Sequence, residues 1–133
     1  MPGMNKRVTG IGGVFFKASN PGALYEWYER HLGLKREPDG SGVVFPWRDA
    51  QTNAEGMTIW SIFPSDTKYF APSASSVMLN YRVEDLDALL AALRTEGVTI
   101  DEQKGIEAYD FGRFASIMDP EGNRIELWEP PKK

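Results

Sequence analysis

Phe16-Lys17-Ala18-Ser19-Asn20-Pro21-Gly22-Ala23-Leu24 returns in imperfect form 65 residues later, as Tyr81-Arg82-Val83-Glu84-Asp85-Leu86-Asp87-Ala88-Leu89. Each copy reads as an aromatic, a base, a small apolar residue, two turn or capping residues, and the opening of an amphipathic helix. Self-similarity at a fixed spacing marks a structural unit built twice, whose copies bury against each other a face that neither could bury alone. A site at their junction can then be read by pseudo-symmetry.

Around the first copy, the run from Ile11 to Ala18 is an expected strand. Asn20 caps the next helix, and Pro21 takes its first position, where a missing N–H costs nothing. Leu24, Trp27, Tyr28 and His31/Leu32 recur at spacings of three and four, which predicts the buried face of that helix. Gly33 stops it as a left-handed C-terminal residue. Strands are expected at 34–37, 43–47 and 57–63, separated by glycine-rich and polar turns.

Residues 64–75, rich in Pro, Ser and Ala, form a connector. Around the second copy, a strand at 77–83 precedes a helix capped by Asp85. Leu86, Leu89, Leu90 and Leu93 make the apolar face of that helix, and Gly97 ends it. Strands at 98–102, 111–118 and 124–129 follow, the last two joined by the turn Asp119-Pro120-Glu121-Gly122-Asn123. The Pro130-Pro131-Lys132-Lys133 tail is expected to fray.

Composition narrows the function classes. The 133 residues are 41% hydrophobic, enough for one compact core rather than two large domains. The absence of cysteine excludes disulfides, thiolate metal sites and cysteine nucleophiles. No apolar run approaches the roughly 20 residues that span a bilayer. The net charge of −4 and the lack of a basic stripe argue against nucleic acid. Met1 to Arg7 is basic but carries no apolar signal-peptide core, so a cytoplasmic location is expected.

Each half thus reads strand, helix, strand, strand, strand. Three motifs carry a family likeness: Trp27-Tyr28-Glu29-Arg30-His31-Leu32-Gly33-Leu34, Val83-Glu84-Asp85-Leu86-Asp87, and Asp119-Pro120-Glu121-Gly122-Asn123-Arg124-Ile125-Glu126-Leu127-Trp128. Over residues 9–129 the chain resembles the vicinal oxygen chelate superfamily. That superfamily includes glyoxalase I, bleomycin- and fosfomycin-resistance proteins and extradiol dioxygenases. The resemblance implies an α+β fold in which two βαβββ modules, 9–63 and 76–129, form one domain. Their eight-stranded, curled mixed sheet would enclose a cleft, with helices outside. It also implies a homodimer.

Strand alternation assigns side chains to the two faces of the sheet. Gly13, Phe15 and Lys17 are expected in the cleft, with Met78, Asn80 and Arg82 from the fifth strand. Arg124, Glu126 and Trp128 join them from the last. In the fourth strand, Thr58, Trp60 and Ile62 are placed inward by matching Trp60 to Trp128. The alternation leaves the register of 111–118 open.

In metal-dependent relatives the ligands sit on the first, fourth, fifth and eighth strands, which the resemblance maps to Gly13, Thr58, Met78 and Glu126. Only Glu126 is a strong ligand. Glycine has no donor, a threonine hydroxyl is weak, and a thioether is too soft for zinc, manganese or iron. His31, the single histidine, falls in the first helix, where packing or a helix-end contact explains it. No cofactor is therefore expected, with a divalent metal as the less favoured alternative.

The remaining cleft is aromatic. Phe15, Trp60 and Trp128 supply flat walls, and Phe63, Tyr69, Phe70, Tyr109 and Phe114 close the mouth. Met78, Asn80, Arg82 and Arg113 complete the expected ligand contacts, with Lys17 a further polar group. Glu126 is the candidate catalytic residue, because burial raises a carboxyl pKa towards that of a general base or acid. Set against this, it is an inherited ligand satisfied by Arg82, Arg124 or Arg113. Two functions follow: a metal-free binder of a small aromatic or planar molecule, like the bleomycin-resistance proteins, or a metal-dependent lyase, isomerase or dioxygenase.

Overall fold

The computed structural model describes residues 7–132; positions 1–6 of the basic N-terminal stretch and Lys133 of the tail lie outside the described residues. The chain runs β1 (Val8–Ala18), α1 (Pro21–Leu32), β2 (Val43–Arg48), β3 (Glu55–Pro64), β4 (Val77–Val83), α2 (Leu86–Thr95), β5 (Thr99–Ile100), β6 (Glu107–Tyr109), β7 (Gly112–Met118) and β8 (Arg124–Glu129). No helix among the described residues is long and apolar enough to cross a membrane.

The capping signals hold at both copies. Asn20 Oδ1 accepts from Ala23 N at 3.1 Å, and Asp85 Oδ1 accepts from Ala88 N at 3.1 Å. Gly33, at φ 71°, closes α1 by donating to Glu29 O. The two strands leading into these helices, β1 and β4, pair antiparallel at the middle of one eight-stranded sheet ordered β2-β3-β1-β4-β8-β7-β5, with β6 on β7. The sheet is mixed, because β3 joins β1 in parallel and β8 joins β4 in parallel.

Helix α2 buries Leu86, Leu89, Leu90 and Leu93 on Val83, Ala115 and Leu127. Each such side chain contributes roughly 1.5–3 kcal/mol of burial. Helix α1 docks differently from expectation. Tyr25 and Tyr28 meet the Trp60 ring at 6.0 and 4.8 Å, while Trp27 stays 50% exposed with His31 tilted against it. The Tyr25 hydroxyl accepts from Ile62 N at 2.9 Å, beyond the point where β2 pairing stops at Trp60.

The strand count per half also differs. Residues 34–37 form no strand, and Glu37 N instead donates to Gly42 O at 2.7 Å within a turn. The stretch Lys35-Arg36-Glu37 is charged throughout and has no apolar face to bury. The short β6 was not expected. The eight strands are therefore divided three and five between the halves.

Candidate functional site

The sheet's inner face encloses a cavity of about 600 Å³. Its base is built from Gly12 and Phe15 of β1, Asn80 of β4, and Glu126 and Trp128 of β8. Met57, Ile59, Ser61 and Phe63 of β3 form one wall and Phe114 of β7 the other. Tyr69 from the connector, Tyr109 and Phe111 around the β6–β7 turn, and Asp39 and Ser41 before β2 complete the rim. Phe114 stacks on Trp128 at 6.1 Å and 6° between planes, and Tyr109 on Phe111 at 5.2 Å and 4°.

Glu126 is 4% exposed at the floor. The β4–β8 register sets Asn80 directly beside it, and Asn80 Nδ2 donates to Glu126 Oε1 at 2.6 Å. The Tyr69 hydroxyl makes a very short hydrogen bond to Glu126 Oε2. Burial pushes the Glu126 carboxyl above the usual carboxylate range. The Tyr69 and Asn80 hydrogen bonds and the charges of Arg124 and Lys104 pull it part of the way back. Burial, with the neighbouring carboxylate, pushes the Tyr69 phenol up, so it stays a protonated donor.

Tyr69 is held in place from below. Its neighbour Phe70 is fully buried with Phe15 and Met78, and Arg124 Nη1 donates to Ala71 O at 3.0 Å. Arg124 also pairs with Asp101 at 3.2 Å, so it fastens the connector rather than Glu126. The partnership of Tyr69 with Glu126 escaped the sequence reading, which placed Tyr69 only at the mouth. The signal available was an aromatic pair, Tyr69-Phe70, inside an otherwise polar and small-residue segment.

Of the expected site residues, Phe15, Asn80, Glu126 and Trp128 come together here. Trp60 does not: it faces α1, in contact with Phe16, Tyr25 and Tyr28. The alternation of β3 is shifted by one residue from the expectation, so Ile59 and Ser61 face the cavity and Thr58 and Ile62 do not. Met78 lies beneath the cavity, buried against Phe15 and Phe70. Arg82 shares the inner face but is held between the Trp47 and Trp128 rings, at 5.4 and 5.6 Å. Arg113 pairs with Asp87 at 2.9 Å and Glu129 at 3.4 Å on the α2 side, away from the cavity. Lys17 lies over the Phe70 ring, 5.3 Å from its centre, and is not part of the lining. Phe70 is core rather than mouth, and Phe111 takes a rim position that was not foreseen. The open register of 111–118 resolves with Phe114 opposite Trp128 and Ser116 opposite Glu126.

The residues present do not fit the divalent metal that the resemblance implies. A Cβ on Gly13 would lie 2.5 Å from Phe15 Cζ, so the first-strand position has neither a donor nor room for one. The Thr58 hydroxyl donates to Ile11 O at 2.5 Å and accepts from Trp47 Nε1 at 2.9 Å, off the cavity. Among the described residues no three His, Cys, Asp or Glu side chains gather as a ligand set. Glu126 is left with one amide and one phenol beside it, too few donors to hold such an ion.

Comparisons with known proteins follow the architecture. Methylmalonyl-CoA epimerase from Mycobacterium tuberculosis superposes with a TM-score of 0.59 at 24% identity, covering 96% of this chain and 92% of that one. A variant of the Streptomyces coelicolor methylmalonyl-CoA epimerase, in complex with 2-nitronate-propionyl-CoA, gives 0.66 at 16% identity, covering 94% and 99%. A Legionella pneumophila structure described as an NAD-dependent benzaldehyde dehydrogenase gives 0.59 at 18% identity, covering 90% and 98%. At these identities the likeness is one of fold. No curated protein matches the chain. The family model described as the Glyoxalase/Bleomycin resistance protein/Dioxygenase superfamily matches residues 11–127, from β1 into β8, and the chain belongs to that superfamily.

Proposed function

We propose that the protein binds a small, planar aromatic molecule in this cavity without a catalytic metal. The observation that carries the reading is the cavity itself: about 600 Å³, walled by flat rings, with its polar groups gathered at one place on the floor. Binding sites for small organic molecules have this make-up, an apolar enclosure with a small number of placed polar groups. Stacked ring pairs at the wall and rim match the faces of a planar guest. A cytoplasmic homodimer belongs to the same reading, with half-exposed Phe45 on the terminal strand β2 as the contact a second copy would cover.

The test is a titration of metal-free protein with quinoline-type probes, followed by tryptophan fluorescence and thermal shift, alongside metal analysis of protein purified without chelator. One saturable equivalent in metal-free protein is the expected result. No saturable binding, together with near one equivalent of tightly held metal, would overturn it.

One observation favours a second reading, in which the cavity carries out proton transfer with Glu126 as base. A carboxyl whose pKa is raised by burial, at the floor of a ligand cavity, has the character of a general base. Glu126→Gln separates the readings. General-base catalysis falls roughly 10²–10⁴-fold, whereas affinity for an uncharged planar probe is retained.

A further inference from the structure

We infer that the ligand is an organic cation: a planar aromatic ring bearing a protonated nitrogen with N–H donors. This rests on the cavity being the ligand site, as proposed above. Every charged residue of the lining is an acid, with Asp39 and Glu107 at the rim and Glu126 on the floor. Lysine and arginine are absent from the lining. Lys104 sits over the Tyr69 ring at 5.5 Å, and Arg124 is engaged by Asp101 and Ala71 O.

The hydrogen-bond inventory points the same way. Asn80 is 2% exposed and its Oδ1 has no partner among the described residues, although the residue lines the cavity. Each Glu126 oxygen takes one donor and keeps a lone pair for another. Three of the lining's donors are already engaged: Tyr69 on Glu126, Trp128 Nε1 on Phe111 O at 2.8 Å, and Ser61 Oγ on Ser41 O at 2.9 Å.

The floor therefore offers more acceptors than donors: Asn80 Oδ1 and the Glu126 lone pairs, against the second N–H of Asn80 Nδ2. An anion would meet three carboxyl groups, and a neutral acceptor would leave Asn80 Oδ1 without a donor. A ligand N–H completes Asn80 Oδ1, whose isolation otherwise carries a desolvation cost. Its positive charge compensates a carboxylate that burial disfavours, and the surrounding ring faces attract a cation through their quadrupoles.

The experiment is calorimetric titration at mildly alkaline pH with three isosteric probes: 4-aminoquinoline (cation, its ring nitrogen kept protonated by conjugation with the amino group), 4-methylquinoline (neutral) and quinoline-4-carboxylate (anion). The cation should bind roughly 10- to 100-fold more tightly than the neutral probe, with the anion weakest. In Glu126→Gln the preference for the cation should fall most of the way to parity while neutral-probe affinity holds. Asp39→Asn with Glu107→Gln, at the rim and clear of the floor, should lower the preference in part and add to the case even if Glu126→Gln fails to fold. Equal binding of cation and neutral probe, or tighter binding of the anion, overturns the inference and leaves the cavity reading standing. Failure of all three probes overturns the cavity reading, and the inference with it.

Discussion

Replacing Tyr69 with Phe removes one oxygen and keeps the ring, including its stacking on Phe63 at 5.6 Å and 6°. What is lost is the donor to Glu126 Oε2, leaving Asn80 Nδ2 at 2.6 Å as the hydrogen bond to that carboxyl. Glu126 is 4% exposed, so little bulk water reaches the carboxyl in place of the hydroxyl. A hydrogen bond to a charged group contributes about 1.5–3 kcal/mol, and a neutral pair about 0.5–1.5 kcal/mol. The cost of Tyr69→Phe should therefore depend on whether Glu126 is ionised.

Burial raises the folded-state pKa of Glu126 above its unfolded value, and Tyr69 opposes that shift. A raised group contributes stability that is fully present below the unfolded pKa and is lost as pH rises through the folded pKa. Without Tyr69 the folded pKa rises further, so that loss is deeper in the variant. The stability gap between parent and Tyr69→Phe should widen with pH, from about 0.5–1.5 kcal/mol below the ordinary carboxylate range to about 1.5–3 kcal/mol once Glu126 is ionised. Urea denaturation of both proteins across a pH series, with m-values held equal, measures this gap. A gap that is constant with pH, or under about 0.5 kcal/mol throughout, would refute the reasoning. In a Glu126→Gln background the pH dependence should vanish.

Three further outcomes follow from the packing. Leu90→Ala, at a position 2% exposed under α2, should cost about 2–5 kcal/mol in denaturation and leave aminoquinoline affinity unchanged, because α2 packs on the opposite face of the sheet. Gly12→Ala would drive a methyl into Asn80 Oδ1 and to 2.9 Å from Trp128 Cε3. Calorimetry should then show weakened probe binding, with about 1–3 kcal/mol of overpacking in the stability. Arg113→Ala breaks the pairs with Asp87 and Glu129, which at this exposure is worth under about 1 kcal/mol. Probe affinity should not move; a tenfold fall would return Arg113 to the ligand site.

The inner and outer faces of β4 and β8 were legible because their apolar residues alternate cleanly. Tyr81, Ile125 and Leu127 go to α2, leaving Asn80, Glu126 and Trp128 inward. In β3 the alternation carried no such information. Met57, Ile59 and Phe63 on one face compete with Trp60 and Ile62 on the other, so either register buries apolar surface. The choice is made by Tyr25 and Tyr28 of α1, which meet Trp60, and by parallel pairing with β1. The α1 face was misjudged for a related reason. Its apolar positions form a broad stripe, and which edge is buried depends on the sheet it meets.

Local chemistry alone determined the two caps at Asn20 and Asp85, the left-handed stop at Gly33, the turn at Asp119, and the doubling that places β1 beside β4. Each of these depends on residues within a few positions of one another, or on their repetition along the chain. The tertiary structure decided that Tyr69 reaches Glu126 across 57 positions, that Asn80 Oδ1 is left without a partner, and that Arg113 and Arg124 are drawn away from the cavity. Those outcomes depend on which side chains converge when a curled sheet closes over a buried connector, a distance in space that no local pattern encodes.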